Sequence, residues 1–302
     1  MLHQITNISI TPVSWPLSGN RTARFDVARL DALHPVVSGN KWFKLKNNLQ
    51  EATRFQKKGI LTMGGAFSNH LAATAFACSQ YGLLSIGLVR GELQYPLNHT
   101  LDFCCQKGMQ LVPIPRNAYN TDSALLTELK QQYANFHFVP EGGSNEAGIS
   151  GCSEIADAIT DWCNYSHIIC AMGTGTTCKG LLQRLQPHQQ LWGIPVLRIP
   201  THLQPSFLQN LYVSTTMPAP KIAFNYAGRG YGKGDVELFD FMNSFYDATG
   251  IPSDFVYTGK VFKAVIDLLE NEAIVANEQV LVLHTGGLQG NASLAANTLY
   301  FG

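Results

Sequence analysis

The sequence predicts an α/β protein built as two three-layer α/β domains with mostly parallel sheets. Three observations carry this: strand and helix signals alternate along the chain, the turns between them are short, and no internal repeat or low-complexity linker interrupts them. "GILTM", "GGAFSNHLAATAFACSQYG" and "LLSIGLV", residues 59–89, read as strand, Gly-rich turn with helix, and strand, a parallel βαβ unit. "LDFCCQKG" with "MQLVPI" repeats the pattern, and "DSALLTELKQQYAN" with "FHFVP" repeats it again. A Gly-rich break, "EGGSNEAGISG", follows at 141–151. Beyond it, "SHIICAM" is a strand, "GTGTT" a turn, "CKGLLQRLQ" a helix and "QLWGIPVL" a strand. A helix at "GKVFKAVIDLLE", a buried strand "VLVLH" and a "TGG" turn into a last helix close the chain. Residues 48–150 are therefore expected as a smaller α/β domain, and 1–47 with 151–302 as a larger one.

The composition limits what such a protein can do. The 302 residues are 45% hydrophobic and 14% charged, enough to bury a large core. Twenty-one basic residues balance twenty-one acidic ones, so no net field draws in nucleic acid or an anionic membrane. Small neutral or zwitterionic partners fit better. "MLHQITNISITPVSW" lacks the basic start and apolar run of a signal peptide, and runs such as "LLSIGLV" are too short to span a bilayer, so a soluble cytoplasmic protein is expected. The seven cysteines, Cys78, Cys104, Cys105, Cys152, Cys163, Cys170 and Cys178, include no CxxC pair. They form neither a disulfide framework nor a zinc spacing and read as mostly buried thiols, with Cys104 and Cys105 in a helix.

The candidate chemistry begins at "SGNKWFKLKNN", residues 38–48, where the amine of Lys41 follows a turn-forming Ser-Gly-Asn. Gly173-Thr174-Gly175-Thr176-Thr177 lies at a strand end, the usual ligand position in open α/β sheets. It is small enough for backbone to approach an anion and adds three hydroxyls, as a phosphate cup would; a plain strand-to-helix turn is the alternative. A dinucleotide fits poorly: Cys178 stands where the third fingerprint glycine belongs, and no Asp or Glu occurs from Lys179 to Gly234 to hold a ribose. No GxxxxGK[ST] loop is present. A monophosphate cofactor together with a distant lysine points to pyridoxal phosphate, which needs a covalent lysine, a phosphate cup and a partner for its pyridine nitrogen.

"SGNKWFKLKNN", "GGAFSNHLAATA", "PEGGSNEAGISG", "GTGTTCKGLL", "YGKGD", "DFVYTGK" and "HTGG" occur in an order and spacing that resembles the fold-type II pyridoxal-phosphate enzymes, whose fold is tryptophan synthase β-like. Within them the chain is similar to the family uniting 1-aminocyclopropane-1-carboxylate deaminase with D-cysteine desulfhydrase, from about residue 10 to residue 300.

The resemblance implies that the larger domain binds pyridoxal 5'-phosphate and that Lys41 is the lysine that holds it covalently. Ser68 matches the serine that meets the substrate carboxylate or relays a proton, and Asn69 the residue that bonds the cofactor's phenolic oxygen. Ser68, Asn69 and His70 also sit where a helix amino terminus offers N–H groups to a carboxylate, with a simple N-cap as the alternative. Tyr231 and Tyr257 match the family's two active-site tyrosines, Tyr257 flanking the cofactor, and Thr258 falls where a side chain reaches the pyridine nitrogen. A carboxylate there would keep the nitrogen protonated; a hydroxyl is expected to share a hydrogen bond with a largely neutral ring.

The cyclopropane deaminases resemble "YEGK", "HLGG" and "SNQ" at these places, and the desulfhydrases resemble the "YTGK", "HTGG" and "SNH" of this chain. The resemblance thus implies β-elimination from a small amino acid such as D-cysteine, giving pyruvate, ammonia and sulfide. Lys41 would be the base, with Ser68 or a tyrosine as the acid, in a homodimer without a metal. Cyclopropane deamination to 2-oxobutyrate and a non-catalytic pyridoxal-phosphate carrier remain the alternatives.

Overall fold

The computed structural model describes residues 7–120, 123–211, 218–275 and 278–301. Residues 1–6, on which part of the amino-terminal reading rests, lie outside them. In chain order the elements begin with β1 (Ile10–Pro16), β2 (Thr22–Ala28), α1 (Asn40–Arg54), β3 (Gly59–Gly64), α2 (Asn69–Tyr81), β4 (Leu84–Arg90), α3 (His99–Gln106), β5 (Met109–Ile114), α4 (Ala124–Gln132), β6 (Phe136–Val139) and α5 (Glu146–Ser153). There follow β7 (His167–Met172), α6 (Thr176–Leu182), β8 (Gln190–Pro195), α7 (Gln204–Gln209), β9 (Lys221–Ile222), α8 (Val236–Thr249), α9 (Thr258–Glu270) and β10 (Val280–Leu283).

The chain divides into two units. Among the described residues the smaller holds 34–37 and 41–151, and the larger holds 7–33, 38–40 and 152–301. Residues 41–47 therefore cluster with the smaller unit, whereas the sequence reading groups them with the larger. One uninterrupted helix, α1, runs through this boundary from Asn40.

The smaller unit is a four-stranded parallel sheet in the order β5-β4-β3-β6. Every residue of β3 is buried, which matches its unbroken "GILTMG" run, since a parallel strand covered on both faces cannot alternate. The chain moves outward from β3 to β4 and β5, then returns to place β6 on the other side of β3. The switch point thus lies between β3 and β6, where the turns Gly65–Ser68 and Pro140–Asn145 emerge. The Ala-rich α2 begins at this edge and is buried along His70–Ala75.

The larger unit is a six-stranded sheet in the order β1-β2-β10-β7-β8-β9. Only the β1–β2 pair is antiparallel; β2, β10, β7, β8 and β9 pair in parallel. The sequence reading did not anticipate this hairpin, because β1 holds Pro12 and Pro16 and only Val13 is fully buried along it. An edge strand tolerates both features. Here the direction of travel reverses between β7 and β10, so the turns at Gly173–Gly175 and Thr285–Gly287 flank the switch point. After the second turn the sequence predicts a helix, but the chain makes only a 3-10 segment, Leu288–Ser293. Gly290, Asn291 and Ser293 are poor helix formers and explain the difference.

The core of the larger unit joins Val27, Ile169, Ile194, Val282, Phe245 of α8 and Phe262 of α9. Phe245 and Phe262 stack with centroids 4.5 Å apart. Among the described residues no helix is long and apolar enough to cross a membrane. Five cysteines are buried, and Cys105 and Cys163 are exposed.

Because Phe262 is fully buried against the sheet and α8, Phe262→Ala should cost about 3–5 kcal/mol of stability. A thermal or urea unfolding curve checks this; an unchanged midpoint contradicts the assigned core.

Candidate active site

In the larger unit the Ser38-Gly39-Asn40 turn is fastened to the segments that follow β2 and β10. The Gly39 amide donates to the Leu30 carbonyl at 2.8 Å, the Ser38 hydroxyl to the Asp31 carbonyl at 2.9 Å, and the Asn40 amide to the Thr285 carbonyl at 3.3 Å. Gly39 has φ +65°, and a Cβ there would lie 1.9 Å from the Thr285 oxygen, so no other residue fits without moving backbone. Asn40 is buried, and its side chain donates to Thr177 Oγ1 at 2.9 Å. The turn preceding Lys41 is therefore bonded directly to the Thr-rich loop.

That loop has the features of an anion cradle. Gly175 takes φ +82° at the head of α6, and the hydroxyls of Thr174 and Thr176 lie 2.8 Å apart. The first amides of a helix have no intrahelical carbonyl to bond. Gly173 leaves one face open apart from the Tyr257 ring, which would lie 3.6 Å from a Cβ at this position.

Thr258 and Tyr257 open α9, and Asp254 organises both. Asp254 Oδ2 accepts from the amides of Val256 at 3.0 Å and Tyr257 at 2.8 Å, and Oδ1 from the Thr258 amide at 3.0 Å. The Thr258 hydroxyl donates to Oδ1 at 2.7 Å and accepts from the Asp254 amide at 2.8 Å. Two residues further, the Lys260 ammonium donates to the carbonyls of Gly230 at 2.8 Å and Ala227 at 3.0 Å. Burial pulls its pKa down to about 8, against the charges of Asp254 and Asp235. These bonds hold the turn leading to Tyr231, whose hydroxyl lies 3.0 Å from that of Tyr257 with the rings edge to face. The two tyrosines, separated in sequence, are thus brought together.

In the smaller unit, Ser68 caps α2, its Oγ accepting from the Leu71 amide at 3.3 Å. Asn69 follows, with its amide oxygen Oδ1 buried and without a hydrogen-bond partner. His70 is buried too. Thr62 Oγ1 gives its proton to the Val139 carbonyl at 2.8 Å, so the 2.9 Å contact to His70 Nε2 requires that nitrogen to be the donor. His70 is held as one neutral tautomer, and its Nδ1 is a buried lone pair without a partner. Burial lowers its pKa to about 3, helped by the positive charges of Lys44 and Lys41. Asn48, another buried residue of α1, accepts from Asn145 Nδ2 at 2.7 Å and tethers the helix to the turn after β6.

Reading the sequence alone missed Asn40, Thr62, Asp254 and Lys260. Asp254 and Lys260 fall inside the motif "DFVYTGK" and Asn40 inside "SGNKWFKLKNN", whereas Thr62 leaves no local signature.

Residues 11–286 match the pyridoxal-phosphate dependent enzyme family, and the chain belongs to it. A Thermotoga maritima protein named "Putative 1-aminocyclopropane-1-carboxylate deaminase" is 29% identical over 284 residues, covering 87% of this chain and 88% of its own. The solved structure of an ACC deaminase homologue is 26% identical, covers 95% of this chain and 92% of its own, and superposes with a TM-score of 0.77. A hydrogen sulfide-producing enzyme from Fusobacterium nucleatum shares the fold at 15% identity, with a TM-score of 0.64 over 96% of this chain and 97% of its own. The two α/β units with mostly parallel sheets are those of fold-type II, and the enzyme is pyridoxal-phosphate dependent. The residues present fit that cofactor: a glycine and hydroxyl cradle suits its phosphate, and the unpaired amide oxygen of Asn69 lies at a helix start.

Two outcomes are expected. The unfolded chain protonates His70 near pH 6.5 and the folded one only near 3, so the unfolded state binds the extra proton between these values. Stability should fall as pH drops through this window, by up to about 1.4 kcal/mol per pH unit from this residue, and His70→Gln should remove that slope in urea titrations. Asn40→Ala should weaken pyridoxal-phosphate retention about five- to tenfold, the loss of roughly one hydrogen bond, measured by equilibrium dialysis.

Proposed function

We propose that this chain is a lyase or deaminase acting on a small amino acid, D-cysteine desulfhydrase-like, converting D-cysteine and water to pyruvate, ammonia and sulfide. The observation that carries this reading is the bare Nδ1 of His70, a buried acceptor kept neutral by burial and by the charges of Lys44 and Lys41. A histidine held neutral cannot pair with a carboxylate as a cation. It can accept a proton donor on the substrate side chain, such as a thiol. A cyclopropane ring carries no donor and would leave Nδ1 unpaired, at a cost of about 1–3 kcal/mol.

In this reading Gly173, Thr174, Gly175, Thr176 and Thr177 hold the cofactor phosphate, Asn69 orients its phenolic oxygen, and Thr258 faces its ring nitrogen. When bound, the cofactor supplies an electron sink for the charge left on the substrate's α-carbon. Lys41 binds the cofactor covalently and, once displaced by the substrate amine, takes the α-proton. Ser68 receives the carboxylate at the start of α2. The Tyr231 and Tyr257 hydroxyl pair delivers a proton to the departing sulfur. The enamine that is released hydrolyses to pyruvate and ammonia.

Cyclopropane deamination is the second reading, favoured by the names of the Thermotoga relative and of the solved homologue. A carrier without turnover would need neither Ser68 nor the paired tyrosines.

With one preparation, sulfide and pyruvate from D-cysteine should outpace 2-oxobutyrate from 1-aminocyclopropane-1-carboxylate by about 10- to 100-fold, the rate equivalent of the unpaired nitrogen. Comparable or faster 2-oxobutyrate favours ring opening, and silence on both favours the carrier. Borohydride reduction followed by peptide mapping should place the label on Lys41; label on Lys44 or Lys46 contradicts the assignment.

A further inference from the structure

The hydrogen-bond pattern around Thr258 runs against the expectation that a hydroxyl leaves the cofactor ring neutral. A hydroxyl has one proton and two lone pairs. The Thr258 proton is given to Asp254 Oδ1 at 2.7 Å, and one lone pair receives the Asp254 amide at 2.8 Å. One lone pair is left. Thr258 can therefore meet a ligand only as an acceptor.

Asp254 holds the proton in that direction. It is fully buried, and its oxygens accept three amide protons besides that of Thr258, so its donor set is that of a carboxylate. Among the described residues no cation lies within ion-pair distance of it. The nearby Lys260 directs its Nζ to the carbonyls of Ala227 and Gly230 instead. A Cβ at Gly287 would lie 2.8 Å from the Asp254 carboxyl carbon, so the "HTGG" turn closes over the carboxylate from the β10 side. The charge faces Thr258.

We infer that Asp254 is a positioning residue which fixes Thr258 as a hydrogen-bond acceptor, so that a ring nitrogen set against Thr258 carries a proton. A bare pyridine nitrogen would meet lone pair with lone pair; a protonated one donates to Thr258 Oγ1 and gains from the carboxylate one bond behind it. Asp254 thus does through Thr258 what a carboxylate in direct contact would do. The inference rests on the reading that Thr258 faces the ring nitrogen. Its consequence for that reading is that the choice between elimination and ring opening falls to His70, not to a weakened ring.

The test is the nitrogen resonance of the holoenzyme reconstituted with pyridoxal phosphate labelled with 15N in the ring. At neutral pH the wild-type signal should sit at the pyridinium position, and Thr258→Ser should keep it there. Thr258→Val should move it by the full pyridinium-to-pyridine difference. Asp254→Asn should do the same, because the new amide donates to Thr258 and frees its hydroxyl proton to turn toward the ring. A wild-type signal at the unprotonated position overturns the inference whether or not Asp254→Asn folds. A signal that Thr258→Val leaves in place shows that Thr258 does not face the nitrogen, and the site assignment falls with the inference. A signal that moves in Thr258→Val but starts unprotonated in the wild type overturns the role of Asp254 alone.

Discussion

The close approach of the Gly39 backbone to the Thr285 carbonyl is the constraint on which the candidate residues of the larger unit depend. It brings the Ser-Gly-Asn turn onto the end of the central strand β10, which lets Asn40 reach Thr177 beside the neighbouring strand β7. Residues far apart in sequence are then joined by one glycine contact and one amide. A methyl group at position 39 would strike backbone, not a side chain that could swing away. The backbone that carries Lys41 is consequently positioned by main-chain contacts.

The candidate residues of the smaller unit share a different feature, which is unsatisfied polarity. Proteins bury few acceptors without partners, since each forfeits a hydrogen bond with water. Here two, on Asn69 and His70, stand next to each other at the head of α2. Thr62 and the Val139 carbonyl dictate which nitrogen of His70 is bare, so the site's hydrogen-bond polarity is set on the strands β3 and β6 before any ligand arrives.

Much of this was legible in the sequence. The nearly continuous apolar runs of β3, β7 and β10 and the Gly-rich turns after them identify parallel strands and the ends at which ligands bind. The quoted motifs carried the cofactor. What stayed hidden has a common character. The hairpin β1–β2 has prolines where strand patterns forbid them, because its outer edge needs no partner. Asn40 and Thr62 are ordinary polar residues until the fold brings Thr177 and His70 to them. The direction of the Thr258 proton depends on Asp254, and a hydroxyl's polarity cannot be read from its own identity. Sequence patterns report periodicity and local turns; long-range hydrogen-bond pairing lies beyond them.

The tether of Lys260 to the Ala227 and Gly230 carbonyls makes the Tyr231 turn indifferent to the lysine's own charge. The amine serves two acceptors, and a neutral amine still has two protons to give. Passing through its depressed pKa near 8 therefore removes a buried charge without removing a bond. Arginine, often counted a gentle exchange for lysine, could not do this: it would keep a permanent cation in a place where burial already disfavours one. The position accepts a cation only in a form that can set its charge aside.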